Sequence, residues 1–238
     1  MMNTFQTKEG KEMKFMWDDS VHKQFLKMVS DFENDFGRTP EIMLMRKDTM
    51  VYHLNVMCAM VSKLIGEEID VLEIGSYRGQ SSWIFANWFK SLTSVDAYGK
   101  LNEVSEVNDL ESELSFGDDT DVQVKLCDEN NLIRFIMENN VVAKAPNIEL
   151  HVETSDDYFL KNEGKKFDLI YIDGDHRYSQ QMRDYTNALN FVKENGIIAG
   201  HDFCWESTQK MIHNMDFASK PMIHFMDDSF LIIPENLL

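Results

Sequence analysis

Asp70-Val71-Leu72-Glu73-Ile74-Gly75-Ser76-Tyr77-Arg78-Gly79-Gln80-Ser81-Ser82 reads as a strand, a turn and the start of a helix. Its first six residues read as a short buried strand ending in a glycine turn. Ser81 to Phe89 then reads as a helix. Gly75 permits a tight turn, and Gly79 lets backbone approach a ligand closely. The amides of a helix N-terminus can hold a carboxylate or a phosphate. The spacing is not Gly-x-Gly-x-x-Gly, so the dinucleotide fingerprint is not met. A strand–helix turn that holds nothing has the same pattern, so this stretch speaks for the architecture before it speaks for a ligand.

Outward from that stretch, further short apolar runs follow: Leu92 to Asp96, Asn147 to Val152, Phe167 to Asp173 and Gly196 to His201. Helical patterns separate most of them. Tyr178, Met182, Tyr185, Leu189 and Val192 form an apolar stripe in steps of three and four, with Asn195-Gly196 as its C-terminal stop. Strands alternating with helices pair in parallel through right-handed crossovers. Met222 to Phe225 and Phe230 to Ile233 are short strands around Met226-Asp227-Asp228-Ser229, a hairpin pattern. On the N-terminal side, Val21, Phe25, Met28 and Phe32 have helical spacing, ended by Gly37-Arg38-Thr39-Pro40. A second helix runs from about Thr49 to Leu64, with Tyr52, Val56, Met60 and Leu64 on one face and Gly66 closing it. Residues 1–17 read as a loose leader. The expected architecture is α/β: a doubly wound, Rossmann-like, mainly parallel seven-stranded sheet with an antiparallel C-terminal hairpin. Residues 1–65 form an N-terminal helical extension of the domain at 66–238.

The formal net charge of −18 disfavours a nucleic-acid partner, because so acidic a surface repels phosphate backbones. The densest basic stretch, Lys161 to Lys166, holds only three lysines. Cys58, Cys127 and Cys204 stand far apart with no Cys-x-x-Cys pair, so spacing supports neither a zinc site nor a disulfide framework. No window approaches the roughly 18 apolar residues of a membrane span. A reduced, cytoplasmic protein is the expectation; the oligomeric state is left open, a homo-oligomer included. Residues 97–131 interrupt the α/β pattern. Leu101 to Val124 carries eight acidic residues and no basic one, which reads as a solvated loop or surface helix, or as a lid over a substrate.

Three further constellations carry chemistry. Asp96 ends the second strand, 21 positions beyond Gly75, where an acid can accept hydrogen bonds from both ribose hydroxyls. It also suits a turn or a cap. Phe167-Asp168-Leu169-Ile170-Tyr171-Ile172-Asp173-Gly174-Asp175-His176 delivers two carboxylates and an imidazole at the carboxyl end of a buried strand. Gly196-Ile197-Ile198-Ala199-Gly200-His201-Asp202 delivers another His and Asp in the matching place. Adjacent parallel strands lie roughly 4.8 Å apart, so Asp173 and Asp202 could share one cation. The carboxyl edge of such a sheet is where ligands bind.

Taken together, Glu73-Ile74-Gly75 with Gly79, Asp96, Ile172-Asp173-Gly174-Asp175-His176 and His201-Asp202 resemble the motif series of class I S-adenosylmethionine-dependent methyltransferases. Within them the chain is similar to a small-molecule O-methyltransferase group that includes the macrolide-sugar O-methyltransferases. The resemblance covers about residues 45–235. It implies that Glu73, Gly75, Tyr77, Gly79 and Ser81 line the methionine end of S-adenosylmethionine. It also implies that Asp96 binds the ribose and that Ser155 sits near the adenine. Asp173 and Asp202 would hold a divalent metal, Mg²⁺ first among the candidates, with Asp173 also beside the cofactor, and His176 would be the general base. The group often has Gly-Asp-Ser where this chain has Glu153-Thr154-Ser155, so a contact by the missing Asp is absent unless Asp156 supplies it.

The implied reaction is methyl transfer to a hydroxyl of a small molecule. An imidazole with an ordinary pKa near ~6.5 suits removal of the acceptor's proton. His201 would orient, or would ligate and shift the metal preference toward Mn²⁺ or Fe²⁺. His22, His53, His151, His213 and His224 receive no role. Three other readings stand beside this one. A nicotinamide-dependent oxidoreductase fits Asp96 but not the glycine turn. A metal phosphohydrolase fits His201-Asp202, though such pairs usually sit on helices. An inactive cofactor-binding module is the third.

Overall fold

The computed structural model describes residues 2–6, 12–16, 48–98, 134 and 137–237. The expected helix near Asp18 to Phe32 and the acidic segment at 101–124 lie outside the described residues. The leader at 1–17 is not loose throughout: β1 (Met2–Gln6) and β2 (Glu12–Met16) form an antiparallel pair, a separate two-stranded sheet.

The main sheet is built from β3 (Asp70–Ile74), β4 (Ser91–Val95), β5 (Ile148–His151), β6 (Phe167–Ile172), β7 (Val192–Gly200), β8 (Met222–His224) and β9 (Phe230–Ile232). Its seven strands run in the order β5-β4-β3-β6-β7-β9-β8. The five strands from β5 to β7 pair in parallel, and β9 joins β7 and β8 antiparallel. The expected seven-stranded, mainly parallel sheet with its antiparallel C-terminal pair is therefore the fold. The first three strands wind to one side of β3, and the chain then crosses back to place β6 on the other side. β3 and β6 thus flank the point where strand order reverses, the place at which open α/β sheets generally bind ligands.

A sheet covered on both faces needs strands that are apolar throughout, with successive side chains parting to opposite layers. Val71, Leu169, Tyr171, Ile197 and Ala199 pack into one layer with Val51, Leu54, Met57 and Val61 of α1 (Asp48–Ile65) and Ile84 and Phe85 of α2 (Gln80–Trp88). Leu72, Ile74, Ile170, Ile172 and Ile198 pack into the other. There they meet Tyr158 and Phe159 of α3 (Ser155–Lys161), Tyr185 and Ala188 of α4 (Tyr178–Phe191) and Met211 and Ile212 of α5 (Glu206–Asn214). Each large side chain so buried contributes roughly 1.5–3 kcal/mol.

Two local readings change. The stripe Tyr52, Val56, Met60 and Leu64 describes α1 only in part. Leu54, Asn55, Met57, Cys58, Ala59 and Val61 are buried as well, so the middle of this helix lies inside the protein on nearly all sides. And α4 ends at Phe191, before Asn195-Gly196, because Val192 already pairs with Phe167 in the sheet. Lys193 reinforces that early exit by reaching Asp168 at 2.7 Å and Asp70 at 3.5 Å.

Candidate functional site

The glycine turn after β3 is shaped first by its neighbour strand. Gly75 has φ +89, and a Cβ on it would stand 2.1 Å from the Asp173 carbonyl oxygen. Asp173 N–H in turn donates to the Ile74 carbonyl at 2.8 Å. The ends of β3 and β6 therefore touch, and glycine is what allows it. Gly79 has a packing reason besides the expected one. A Cβ there would meet Met137 Sδ at 2.4 Å and Val141 Cγ2 at 2.8 Å, so its bareness serves packing against the π-helical turn Met137–Val142. It also caps α2 at φ 83 without a side-chain hydrogen bond.

Asp96 organises this turn. Its Oδ2 accepts from Ser76 N–H at 3.0 Å and Tyr77 N–H at 2.8 Å, and its Oδ1 from Tyr98 N–H at 3.0 Å. A carboxylate offers about four acceptor positions, so room for a further donor remains. Burial raises the Asp96 pKa above the ordinary value, against the three amides that lower it. Tyr77 is held at φ 49, a conformation that side-chain-bearing residues keep only where their surroundings enforce it. Here the enforcement is Asp96 on its N–H and Tyr98 Oη, which donates to its carbonyl at 2.9 Å.

Glu73 is placed one layer below. Its side chain is 0% exposed, and its carboxylate accepts from Ser81 Oγ at 2.5 Å, Ser82 Oγ at 2.5 Å and Ser94 Oγ at 2.8 Å. Burial outweighs those three hydroxyls and pushes Glu73 up to about 7. It therefore braces the start of α2 against β3 and β4, with Ser81 as its partner. Ser155 is similarly occupied: its Oγ donates to Asp184 Oδ1 at 2.6 Å and accepts from Gln180 Nε2 at 3.1 Å. Burial pushes Asp184 up to about 6. Asp156, at the position where the missing Asp contact was sought, is exposed and pairs with Arg183 at 3.3 Å.

At the ends of β6 and β7 the register places Ile172 beside Gly200. The residues that follow each strand, Asp173 and His201, are thereby brought together, and Asp202 joins them. Asp173, His201 and Asp202 each offer a ligand atom within 4.8 Å of the others. His201 Nδ1 lies 3.0 Å from Asp202 Oδ1 and 3.6 Å from Asp173 Oδ1. Its Nε2 stands 2.7 Å from the Asp227 carbonyl oxygen, which can only accept. That nitrogen carries a proton, and Nδ1 faces the carboxylates, donating to Asp202 when the ring is charged and offering a lone pair when it is neutral. His176 reaches the same group: its Nδ1 is 3.0 Å from Asp202 Oδ2. Asp202 itself sits at φ 58.

The electrostatics follow from that contact set. Burial would raise the Asp202 carboxyl, but the hydrogen bonds and charges of His176 and His201 hold it well below the usual carboxylate range. For His176, burial works downward and the Asp202 carboxylate more than reverses it, so its pKa is raised. The indole of Trp205, 37% exposed, packs on the His176 ring with centroids 5.0 Å apart. Asp175 is committed elsewhere, to the Arg177 N–H at 2.9 Å and to the Arg177 guanidinium.

The site residues thus fall into two neighbouring groups. Gly75, Tyr77, Gly79 and Asp96 build the turn after β3. Asp173, His176 and Asp202 gather at the ends of β6 and β7. Glu73 with Ser81, and Ser155 with Asp184, lie in supporting networks. His201, expected to orient or to ligate, stands with Asp173 and Asp202. A Cys204–His224–Asp228 group was missed altogether, since no spacing in the sequence marks it.

The methyltransferase-domain family model matches residues 72–203, more than half of the chain. No curated protein matches the sequence. Among solved structures, the O-methyltransferase from Bacillus cereus in complex with SAH is similar in fold, with 12% identity, 92% of this chain and 93% of that chain covered, and a TM-score of 0.51. Cofactor-bound Rv0187 from MTB is similar as well, with 13% identity, 91% and 90% covered, and a TM-score of 0.52. No described helix is long and apolar enough to cross a membrane.

Proposed function

We propose that this chain, which belongs to the methyltransferase-domain family and is an S-adenosylmethionine-dependent methyltransferase, acts on a hydroxyl of a small molecule with the help of a divalent metal. The observation that carries the reading is the convergence of Asp173, His201 and Asp202 within 4.8 Å, with His176 hydrogen-bonded to the same Asp202. Two carboxylates and an inward-facing imidazole nitrogen are a fitting donor set for a divalent cation, with Mg²⁺ favoured by the oxygens and Mn²⁺ or Fe²⁺ by the imidazole.

The sulfonium of bound S-adenosylmethionine supplies an already activated methyl group, which leaves alignment and proton removal to the protein. Asp96 keeps the Ser76–Tyr77 turn in shape and offers its remaining acceptor position to the ribose. The turn from Gly75 to Gly79 and the start of α2 face the methionine end, with Glu73 and Ser81 bracing that start from below. Ser155 stands at the head of α3 as the adenine-side residue, oriented by Asp184. A cation on Asp173, His201 and Asp202 would lower the pKa of a hydroxyl bound beside it. His176 donates Nδ1–H to Asp202, so its Nε2 is the nitrogen that takes the acceptor's proton. Trp205, packed on that ring, provides one apolar wall for the acceptor. The formal charge of −18 favours an uncharged acceptor over a nucleic acid.

The test is calorimetric binding of S-adenosylhomocysteine with and without Mg²⁺, followed by a panel of sugar and phenol acceptors. Binding of the product together with metal-stimulated methylation of a hydroxyl supports the reading. Absence of binding at millimolar product removes the cofactor assignment; full activity in EDTA removes the metal.

A further inference from the structure

Outside the Asp173–His201–Asp202 group, another set of metal-binding side-chain types converges among the described residues. Cys204, His224 and Asp228 each offer a ligand atom, all within 4.8 Å of one another. They come from the turn after β7, the end of β8 and the β8–β9 turn. His224 Nε2 is 3.1 Å from Asp228 Oδ1. Ligand atoms about 2.0–2.2 Å from a tetrahedral zinc ion stand about 3.4 Å apart, so this pair is already close to ligand spacing.

The surroundings hold these groups in place without an ion. The Phe203 ring stacks on the His224 imidazole, centroids 4.2 Å apart at 28°. The Cys204 N–H donates to Asp228 Oδ1 at 3.1 Å and Oδ2 at 3.2 Å, and the Phe203 N–H donates to the Asp228 carbonyl at 3.0 Å. Asp228 keeps φ 73, a conformation costly for a residue with a side chain and sustained here by those contacts. Hydrogen bonds of this kind orient a metal-binding carboxylate.

We infer that Cys204, His224 and Asp228 form a Zn²⁺ site with its fourth position open to solvent. A thiolate and an imidazole select zinc over the oxygen-seeking Mg²⁺. Binding forms a sulfur–zinc bond and releases the thiol proton to solvent. The ion clasps the turn that carries Asp202 to the hairpin whose Asp227 carbonyl accepts from His201 Nε2. It thereby fixes the His201 ring from outside, and the site stands whether or not the methyl acceptor is a hydroxyl.

Cobalt titration of the metal-free full-length protein tests this, because the Asp173–His201–Asp202 group has no sulfur and cannot give a thiolate-to-cobalt charge-transfer band. The band is expected to rise to saturation as Co²⁺ is added and to be displaced by Zn²⁺ but not by Mg²⁺. Cys204→Ser and His224→Ala, both at exposed positions, are expected to lose it and to weaken Zn²⁺ about 100-fold or more. Cys127→Ser and Asp202→Asn should retain it. Absence of the band, or its persistence in Cys204→Ser, overturns the site.

Discussion

His176 Nδ1 stands 3.0 Å from Asp202 Oδ2, and Asp202 is at the same time in contact with His201. One carboxylate therefore stands against two imidazoles that are anchored differently. His176 is left with Nε2 as its proton-accepting nitrogen, whereas His201, tied through Nε2 to Asp227, is left with Nδ1. In the proposed reaction the first ring would serve as the base and the second as a metal ligand.

Replacement of His176 separates the base from the binding site. His176→Ala is expected to lower kcat by about 10²–10⁴-fold, the range for a general base. Calorimetric affinity for S-adenosylhomocysteine should stay within about twofold of the parent, because no cofactor contact is removed. An equal loss in both measurements would place His176 in cofactor binding instead.

The Asp96 turn predicts the converse. Asp96→Ala leaves the Ser76, Tyr77 and Tyr98 amides without their acceptor. Hydrogen bonds to a charged group are worth about 1.5–3 kcal/mol, so product affinity should fall about 10- to 100-fold. Asp96→Asn keeps one acceptor oxygen and is expected to lie between the two.

Contact between the strand ends makes Gly75 a stability position as well. Gly75→Ala would put a methyl 2.1 Å from the Asp173 carbonyl oxygen at φ +89. Backbone strain and overpacking together should cost about 3 kcal/mol or more in urea unfolding. A variant as stable as the parent would mean that β3 and β6 are not held this closely.

Glu73 gives a pH dependence with a definite sign. Its pKa is raised from 4.5 to about 7 on folding. The folded state then binds more protons than the unfolded one between those values, so stability falls as pH rises through that window. The cost above pH 7 is about 3 kcal/mol. Glu73→Gln, which keeps a hydrogen-bonding amide among Ser81, Ser82 and Ser94, should flatten the slope between pH 4.5 and 7 and gain on the parent most at pH 8. Parallel unfolding curves for the two proteins across that range would show that Glu73 does not ionise there.

What is local in this protein follows from neighbouring residues alone. The run from Asp70 to Ile74, the turn at Gly75 and the helix after it depend on residues a few positions apart, whose period is set by the backbone. For the same reason the carboxyl-edge positions of Asp96, Asp173 and His201-Asp202 could be read from where the apolar runs end. Tertiary structure decided which of those groups meet. The β6–β7 register, with Ile172 beside Gly200, brings His201 next to Asp173. Packing of α2 on β4 also gives Glu73 a structural task that the pattern does not show, as a buried acceptor for three serines. Pairing of Val192 with Phe167 ends α4 before the asparagine–glycine stop the pattern favours. Cys204 and His224 are joined only because β9 runs antiparallel to β7 and returns the hairpin turn to the strand's end. Periodicity encodes which face a residue occupies; which residues share a site depends on pairing between distant segments, and that is fixed only when the sheet closes.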